Sequence, residues 1–474
     1  MSQNPIHFRT LTELSAGLTA REYSSEELAE HFLSRIESLN GALNAFNLVT
    51  ADRALAEAHA ADVQLAAGRS LGALHGIPYA VKDIFDVGGL PTTAGSRLLE
   101  GYRPSEDSHA TRRLAQAGMV VLGKTVAVEF GRGVIGVNHI QGTPHNPWHE
   151  VAHIPGGSSA GSAVAVAAGL APIALGSDTA GSVRAPAALC GTVGLKTTVG
   201  RISRYGVFPM SEYLDTVGLL TRSVEDCALV YQAMLGEDVR DPSTVGITHH
   251  DVTRSLKAGV KGLRIGLPAD VFLDELDPDV ERAFEKATSI FEELGTTLIP
   301  LSIPEAAPAD SLGKTITNAE ACVVHEQRLE EQVDDMDPVV GPRMLADRDI
   351  TAVQYIKALR TVRDLRKSLE DTLRDVDALL VPTTALPALP VSEVDKDLSS
   401  YAAYTKVYSR NTRIGSVLDL CGLSVPCGFT QKGLPIGLLI CGKPFNEDIV
   451  LRAGYAYEQA CDWHNQTSSL SWLE

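Results

Sequence analysis

Residues 154–200 read IPGGSSAGSAVAVAAGLAPIALGSDTAGSVRAPAALCGTVGLKTTVG. Two Gly/Ser clusters stand at either end of an Ala/Val-rich segment: Pro155-Gly156-Gly157-Ser158-Ser159-Ala160-Gly161-Ser162 and Asp178-Thr179-Ala180-Gly181-Ser182. The segment between them, residues 163–176, reads as a buried helix followed by a short strand. Glycine loses more backbone freedom on folding than any other residue, so such density does little for a core. It suits places where backbone N–H groups must approach a ligand closely. Two such turns, each presenting serines, point to acyl-transfer chemistry.

Working outward, residues 76–83 read GIPYAVKD and residues 89–96 read GLPTTAGS. Downstream, residues 200–206 read GRISRYG and residues 433–437 read GLPIG. Together with the central stretch, these motifs make the chain resemble the amidase signature family over nearly its whole length. The resemblance implies Ser182 as nucleophile, Lys82 as base and Ser158 as a bridging relay with a cis bond to Gly157. The two serines stand 24 positions apart, as in that family. It further implies an oxyanion hole built from the backbone N–H groups of Thr179, Ala180, Gly181 and Ser182, with no cofactor and no metal. The expected fold is α/β: a single α/β/α domain whose large central mixed sheet is flanked by helices. Ala160 and Ala180 stand where the family often has glycine, and a methyl group fits both places if φ stays negative.

The chemistry makes sense beneath the resemblance. A serine hydroxyl is a weak nucleophile until a base accepts its proton. Lys82 serves only when neutral, which requires its pKa to fall from about 10.4 by roughly three units, or about 4 kcal/mol. Burial supplies such a shift. Lys82 interrupts an apolar run, residues 77–85, that reads as a buried strand, where a charged lysine is costly. Asp83 is adjacent, yet successive strand side chains point to opposite faces, so it need not neutralise Lys82. Asp178 and Arg184 read as a structural pair holding the nucleophile's turn, and Ser159 as a supporting residue.

Competing motifs are present. Residues 118–125, GMVVLGKT, match the P-loop pattern, but their central residues read as the strand itself, which cannot wrap a phosphate. His139, His145, His149 and His153 have spacing that a helix would stack for zinc, but Pro144, Pro147 and Pro155 make the segment a loop. Residues 157–161, GSSAG, fit a nucleophile elbow centred on Ser159, which needs a preceding strand and a downstream acid and histidine. Residues 151–155 are too short for that strand, and His249, His250, His325 and His464 are the downstream histidines. A non-catalytic binding protein on the same fold is the remaining alternative, disfavoured by the presence of all three reacting residues.

The chain has 474 residues, a hydrophobic fraction of 44% and a net charge of −18, which fits a globular protein. That charge argues against nucleic acid and anionic membrane surfaces as partners. A small-molecule amide is the expected partner, and the sequence leaves a homodimer open. Seven scattered cysteines without C-x-x-C spacing read as reduced, buried thiols, and residues 1–10 show no signal-peptide pattern. A cytoplasmic location is expected.

In organisation, residues 1–474 read as one amidase domain. Residues 1–68 form a helical segment with a capping box at Ser24-Ser25-Glu26-Glu27, a helix ending near Asn40-Gly41, and an Ala-rich helix over residues 51–67. Residues 69–235 form the catalytic core, with strands over 72–87 and 119–122 and a helix capped by Thr221 that begins at Ser223. Residues 236–261 are turn-rich and read as a linker, followed by a β-α-β pattern over 260–301. Residues 300–375 are mostly helical and, by the resemblance, line the substrate pocket. Strands are expected over 378–381, 423–429 and 436–441, with a last helix over 447–460. The resemblance leaves two functions open: hydrolysis of a small-molecule amide, or the glutaminase subunit of a tRNA-dependent amidotransferase. Val199 and residues 208–213 differ from what that subunit is expected to carry.

Overall fold

The computed structural model describes residues 4–473; residues 1–3 of the stretch read for a signal peptide lie outside the described residues. Eleven strands among the described residues are β1 (Phe46–Val49), β2 (Pro78–Lys82), β3 (Val120–Thr125), β4 (Ile173–Asp178), β5 (Val193–Lys196), β6 (Thr216–Thr221), β7 (Arg264–Pro268), β8 (Thr297–Leu301), β9 (Ala378–Pro382), β10 (Cys421–Phe429) and β11 (Pro435–Gly442). They form one sheet in the order β1-β3-β2-β4-β6-β5-β10-β11-β9-β7-β8. Pairing is parallel for β2 with β3 and β4, and for β7 with β8 and β9; the remaining pairs are antiparallel. The sheet is mixed and flanked by helices, as expected.

Strands near the middle are buried on both faces and therefore read as continuous apolar runs rather than alternating ones. Every residue of β2, β3, β4 and β6 is buried. At the far edge β8 is partly open, with Thr297 and Pro300 exposed and none of its residues fully buried. The helix Ala160–Ala167 is buried on all sides. Its composition explains how it fits: a Cβ on Gly161 would stand 2.2 Å from the Ala45 carbonyl oxygen, so the helix start rests directly on backbone.

The amino-terminal region departs from the all-helical expectation. Ser24 does close a capping box with Glu27, and the helix it starts runs Ser25–Leu43 before Asn44 ends it in the left-handed region at φ 49°. Between this helix and the helix Ala51–Ala66, however, lies β1, which forms the sheet's edge against β3. Four residues, FNLV, are too few for periodicity to register. Two further corrections concern element ends. The expected strand 72–87 is only β2, ending at Lys82, because the following residues turn. The helix Val224–Met234 is capped by Ser223, whose hydroxyl accepts from the Asp226 N–H, while Thr221 ends β6 and donates to the Ser223 carbonyl.

The β-α-β pattern appears as β7, the helix Pro278–Glu293 and β8. The turn-rich stretch 236–261 holds two short 3-10 turns and is tied back by Arg204 to Asp241 and by His109 to Asp238. No helix among the described residues is long and apolar enough to cross a membrane. The cysteines are free, five of them buried and Cys322 and Cys461 partly exposed.

Candidate active site

Parallel neighbours end at the same edge of a sheet, so β2 and β4 deliver their last residues to one place. Lys82 is the final residue of β2, and Ser177 and Asp178 close β4. The Lys82 Nζ lies 2.7 Å from Ser158 Oγ and 2.9 Å from Ser177 Oγ, and the lysine is 0% exposed. Burial drives its pKa down from 10.5 to about 7, against the smaller opposing pull of the Asp178 and Asp215 carboxylates. No carboxylate is in contact with it among the described residues. Asp83 is directed elsewhere, accepting from Lys124 Nζ at 2.7 Å and from Asn47 Nδ2 at 2.7 Å. The P-loop-like lysine is thereby accounted for: Lys124 sits in β3 as the buried partner of Asp83.

The peptide bond between Gly157 and Ser158 is cis. Ser159 follows it, donating its N–H to the Ser182 carbonyl at 3.2 Å and its hydroxyl to the Ser177 carbonyl at 3.3 Å. The elbow candidate is thus fully buried and bonded to backbone, with no histidine among its partners in the described residues.

The second turn is built around Asp178. Its carboxylate accepts from the N–H groups of Gly181 (2.7 Å), Val183 (3.1 Å) and Arg184 (3.3 Å). The Arg184 guanidinium adds a two-pronged contact at 2.9 and 2.8 Å, with both partners at 0% exposure. Burial alone would raise the Asp178 pKa, but the charge and hydrogen bonds of Arg184, with Lys196, hold it down at about 2. The structural-pair expectation describes what the two residues do here. From the far side, Thr412 Oγ1 donates to the Ala180 carbonyl at 2.8 Å. Gly181 has φ 129° and a Cβ there would stand 2.2 Å from Thr412 Oγ1, so both conformation and space require glycine. Ala160 and Ala180 do not have positive φ.

Of the four expected oxyanion donors, the Gly181 N–H is already given to Asp178. Those of Thr179, Ala180 and Ser182 make no hydrogen bond among the described residues. Ser182 is buried at the turn's end, and its Oγ makes no hydrogen bond among the described residues; its carbonyl is what links it to the Ser158–Ser159 strand of the site.

A cavity of about 1000 Å³ opens onto this edge. Ser177 and Thr179 lie on its wall, as do Phe208 and Met210 from the loop before β6 and Glu320 and Val323 from the helix Ala306–Val324. Asp215 lies on the same wall, receiving Thr179 Oγ1 at 2.5 Å and the N–H groups of Met210 and Ser211 at 2.8 and 2.9 Å. Burial raises its pKa, partly countered by those donors.

Three residues at the site escape a sequence reading. Ser177, the second contact of Lys82, was legible in principle as the residue ending a strand parallel to β2. Asp215 and Thr412 carry no local signal, since each acts through a turn distant in sequence. The histidine cluster disperses: His139 bridges Asp337 and Asp395, His145 stacks on Trp472 at 4.4 Å, and His149 and His153 pack against each other.

Known proteins resemble this chain over most of its length. The family model described as Amidase matches residues 27–451. The A subunit of glutamyl-tRNA(Gln) amidotransferase from Trichlorobacter lovleyi is 38% identical, the alignment covering 98% of this chain and 100% of that one. The solved native peptide amidase of Stenotrophomonas maltophilia superposes with a TM-score of 0.85 at 33% identity, covering 96% of this chain and 98% of that one. A chain from the vestigial complex linked to the origins of an s-triazine catabolic enzyme gives 0.89 at 33% identity, covering 95% and 98%. On a family match spanning most of its length and relatives aligned nearly end to end, the chain belongs to the amidase signature family and is an amide hydrolase.

Proposed function

We propose that this protein hydrolyses a small-molecule carboxylic amide to acid plus amine or ammonia through an acyl-enzyme on Ser182. The observation that carries the reading is the buried Lys82 amine, 2.7 Å from Ser158 Oγ, with its pKa brought down to about 7. A neutral amine at that distance takes the Ser158 proton as Ser158 takes that of Ser182, and Ser182 Oγ attacks the carbonyl carbon. Substrate binding closes the remaining gap between the two hydroxyls, a tightening common when a Michaelis complex forms.

The negative charge that develops on the carbonyl oxygen falls to the unclaimed N–H groups of Thr179, Ala180 and Ser182. Fixed donors of this kind contribute about 2.7–4 kcal/mol each when removed singly. Gly181, in this reading, braces the turn through Asp178 rather than donating. Collapse of the tetrahedral species expels the amine, which receives its proton back through Ser158, and water then attacks the acyl ester by the same route. Asp178, Arg184 and Ser159 support the two turns without touching the reacting atoms. No cofactor or metal enters these steps.

A second reading is favoured by one observation, the 38% identity with the A subunit of an amidotransferase over both full lengths. In it the same machinery releases ammonia from glutamine for a partner protein. Ammonia release from glutamine, measured with and without candidate partner proteins, against release from simple amides by the chain alone, separates the two. Failure of a fluorophosphonate to label Ser182 would overturn both.

A further inference from the structure

One wall of the cavity that Ser177 and Thr179 also line is apolar over a continuous stretch: Val207, Phe208, Pro209 and Met210 all line it in succession. The loop is fixed, since the Phe208 N–H donates to the Ile84 carbonyl at 2.8 Å and Asp215 holds the Met210 N–H. Phe208 is half-buried and stacks on Phe130, with ring centroids 5.5 Å apart and an interplanar angle of 27°. The residue after Phe130 borders the relay serine: a Cβ on Gly131 would stand 3.7 Å from Ser158 Oγ. Behind the pair, His325 packs at 4.2 Å from Phe130, and the Arg328 guanidinium lies 5.6 and 5.7 Å from the two rings. Burial and the neighbouring Arg328 and Arg132 charges lower the His325 pKa to about 3, so it backs the wall as a neutral ring.

An aromatic face fixed on one side and open to a cavity of about 1000 Å³ is a surface for another ring. The polar side of the cavity narrows the class further. Asp215 and Glu320 face it, and Glu320 already receives Tyr355 OH at 2.7 Å and the Ser211 hydroxyl. Two of the arginines on the wall, Arg204 and Arg240, are taken by Asp241 and Asp238, and the third, Arg348, is solvent-exposed. A substrate carboxylate near Asp215 and Glu320 would meet two like charges, and Arg348, the lining arginine with no acid partner among the described residues, is turned to solvent.

Resting on the amide-hydrolase reading above, we infer that the substrate is an aryl-bearing amide without a free carboxylate, its ring lying on Phe208. The test is the ratio of kcat/KM for 3-phenylpropanamide to that for butanamide, with L-glutamine as a third substrate, in the wild type and in Phe208→Ala. Phe208→Leu, which keeps apolar bulk but removes the ring, serves as a second variant, and thermal melts check that each folds. The expected result is a wild-type ratio of about tenfold or more that falls about tenfold in both variants, with glutamine poorest of the three. A ratio near one, a ratio unmoved by both substitutions, or glutamine as the best substrate overturns the inference. Should the wild type hydrolyse none of them, fluorophosphonate labelling divides the cases. A labelled Ser182 refutes the substrate class alone, whereas an unlabelled one refutes the hydrolase reading beneath it.

Discussion

Replacing Lys82 by methionine should abolish turnover and yet stabilise the fold at neutral pH, by an amount that depends on pH in a defined way. An unfolded chain keeps the lysine proton up to about pH 10.5, whereas the folded site releases it near 7. Between those values the unfolded state binds more protons, so wild-type stability rises with pH across that window. At about 1.4 kcal/mol per pH unit, the buried amine costs the fold about 5 kcal/mol at and below pH 7 and about 2 kcal/mol at pH 9. Methionine removes that cost but leaves the Ser158 and Ser177 hydroxyls without their shared partner, a loss of about 1 kcal/mol each. The variant should therefore be more stable than wild type by about 3 kcal/mol at pH 7, and the two should be equal near pH 9. Urea denaturation of both proteins at half-unit steps from pH 7 to 10 measures the difference. A constant offset across that range, or a variant already less stable at pH 7, would refute a desolvated neutral amine at this position.

The same titration predicts that kcat/KM falls tenfold per unit as pH drops below about 7, read from a pH–rate profile of the wild type. Ser182→Ala should lose at least about a thousandfold in kcat and remain folded by circular dichroism, whereas Ser159→Ala should retain acylation by a fluorophosphonate. Arg184→Met leaves the Asp178 carboxylate buried and unpaired, and urea denaturation should register a loss of about 3–5 kcal/mol. His139, held by Asp337 and Asp395, should titrate near 9 by NMR; the stability it contributes is complete below pH 6.5 and disappears as pH rises through 9.

What could be read from the sequence follows a physical divide. Buried central strands announce themselves as apolar runs, and the β7–β8 unit with its intervening helix was legible because helical and strand periods alternate cleanly there. Lys82, Ser158 and Ser182 are singled out through the family resemblance of their motifs, and the structure sets Lys82 Nζ 2.7 Å from Ser158 Oγ. β1 is hidden by its brevity, and the helix Leu398–Val417, from which Thr412 and Ser416 reach the site, has no counterpart among the elements expected from the sequence. The free donors of the second turn were not separable by sequence either. That the Gly181 N–H goes to Asp178 is a property of a carboxylate that accepts three N–H groups of its own loop, which only coordinates reveal. The shape of the cavity belongs to the same class, since it arises where loops from residues 207–216 meet helices from residues 306–355.

Two contacts from the carboxyl-terminal part of the chain reach the nucleophile's turn. The Ala180 carbonyl is pinned by Thr412, and Arg184 reaches Ser416, while β10 and β11 lie between β5 and β9 rather than at an edge. A nascent polypeptide that has left the ribosome only as far as residue 200 already contains Lys82, Ser158 and Ser182, the proposed reacting set, but not the clasp that shapes their turn. Amide cleavage should thus begin only once the last quarter of the message has been translated, and fragments shortened from the carboxyl end should be inert however intact their serines are.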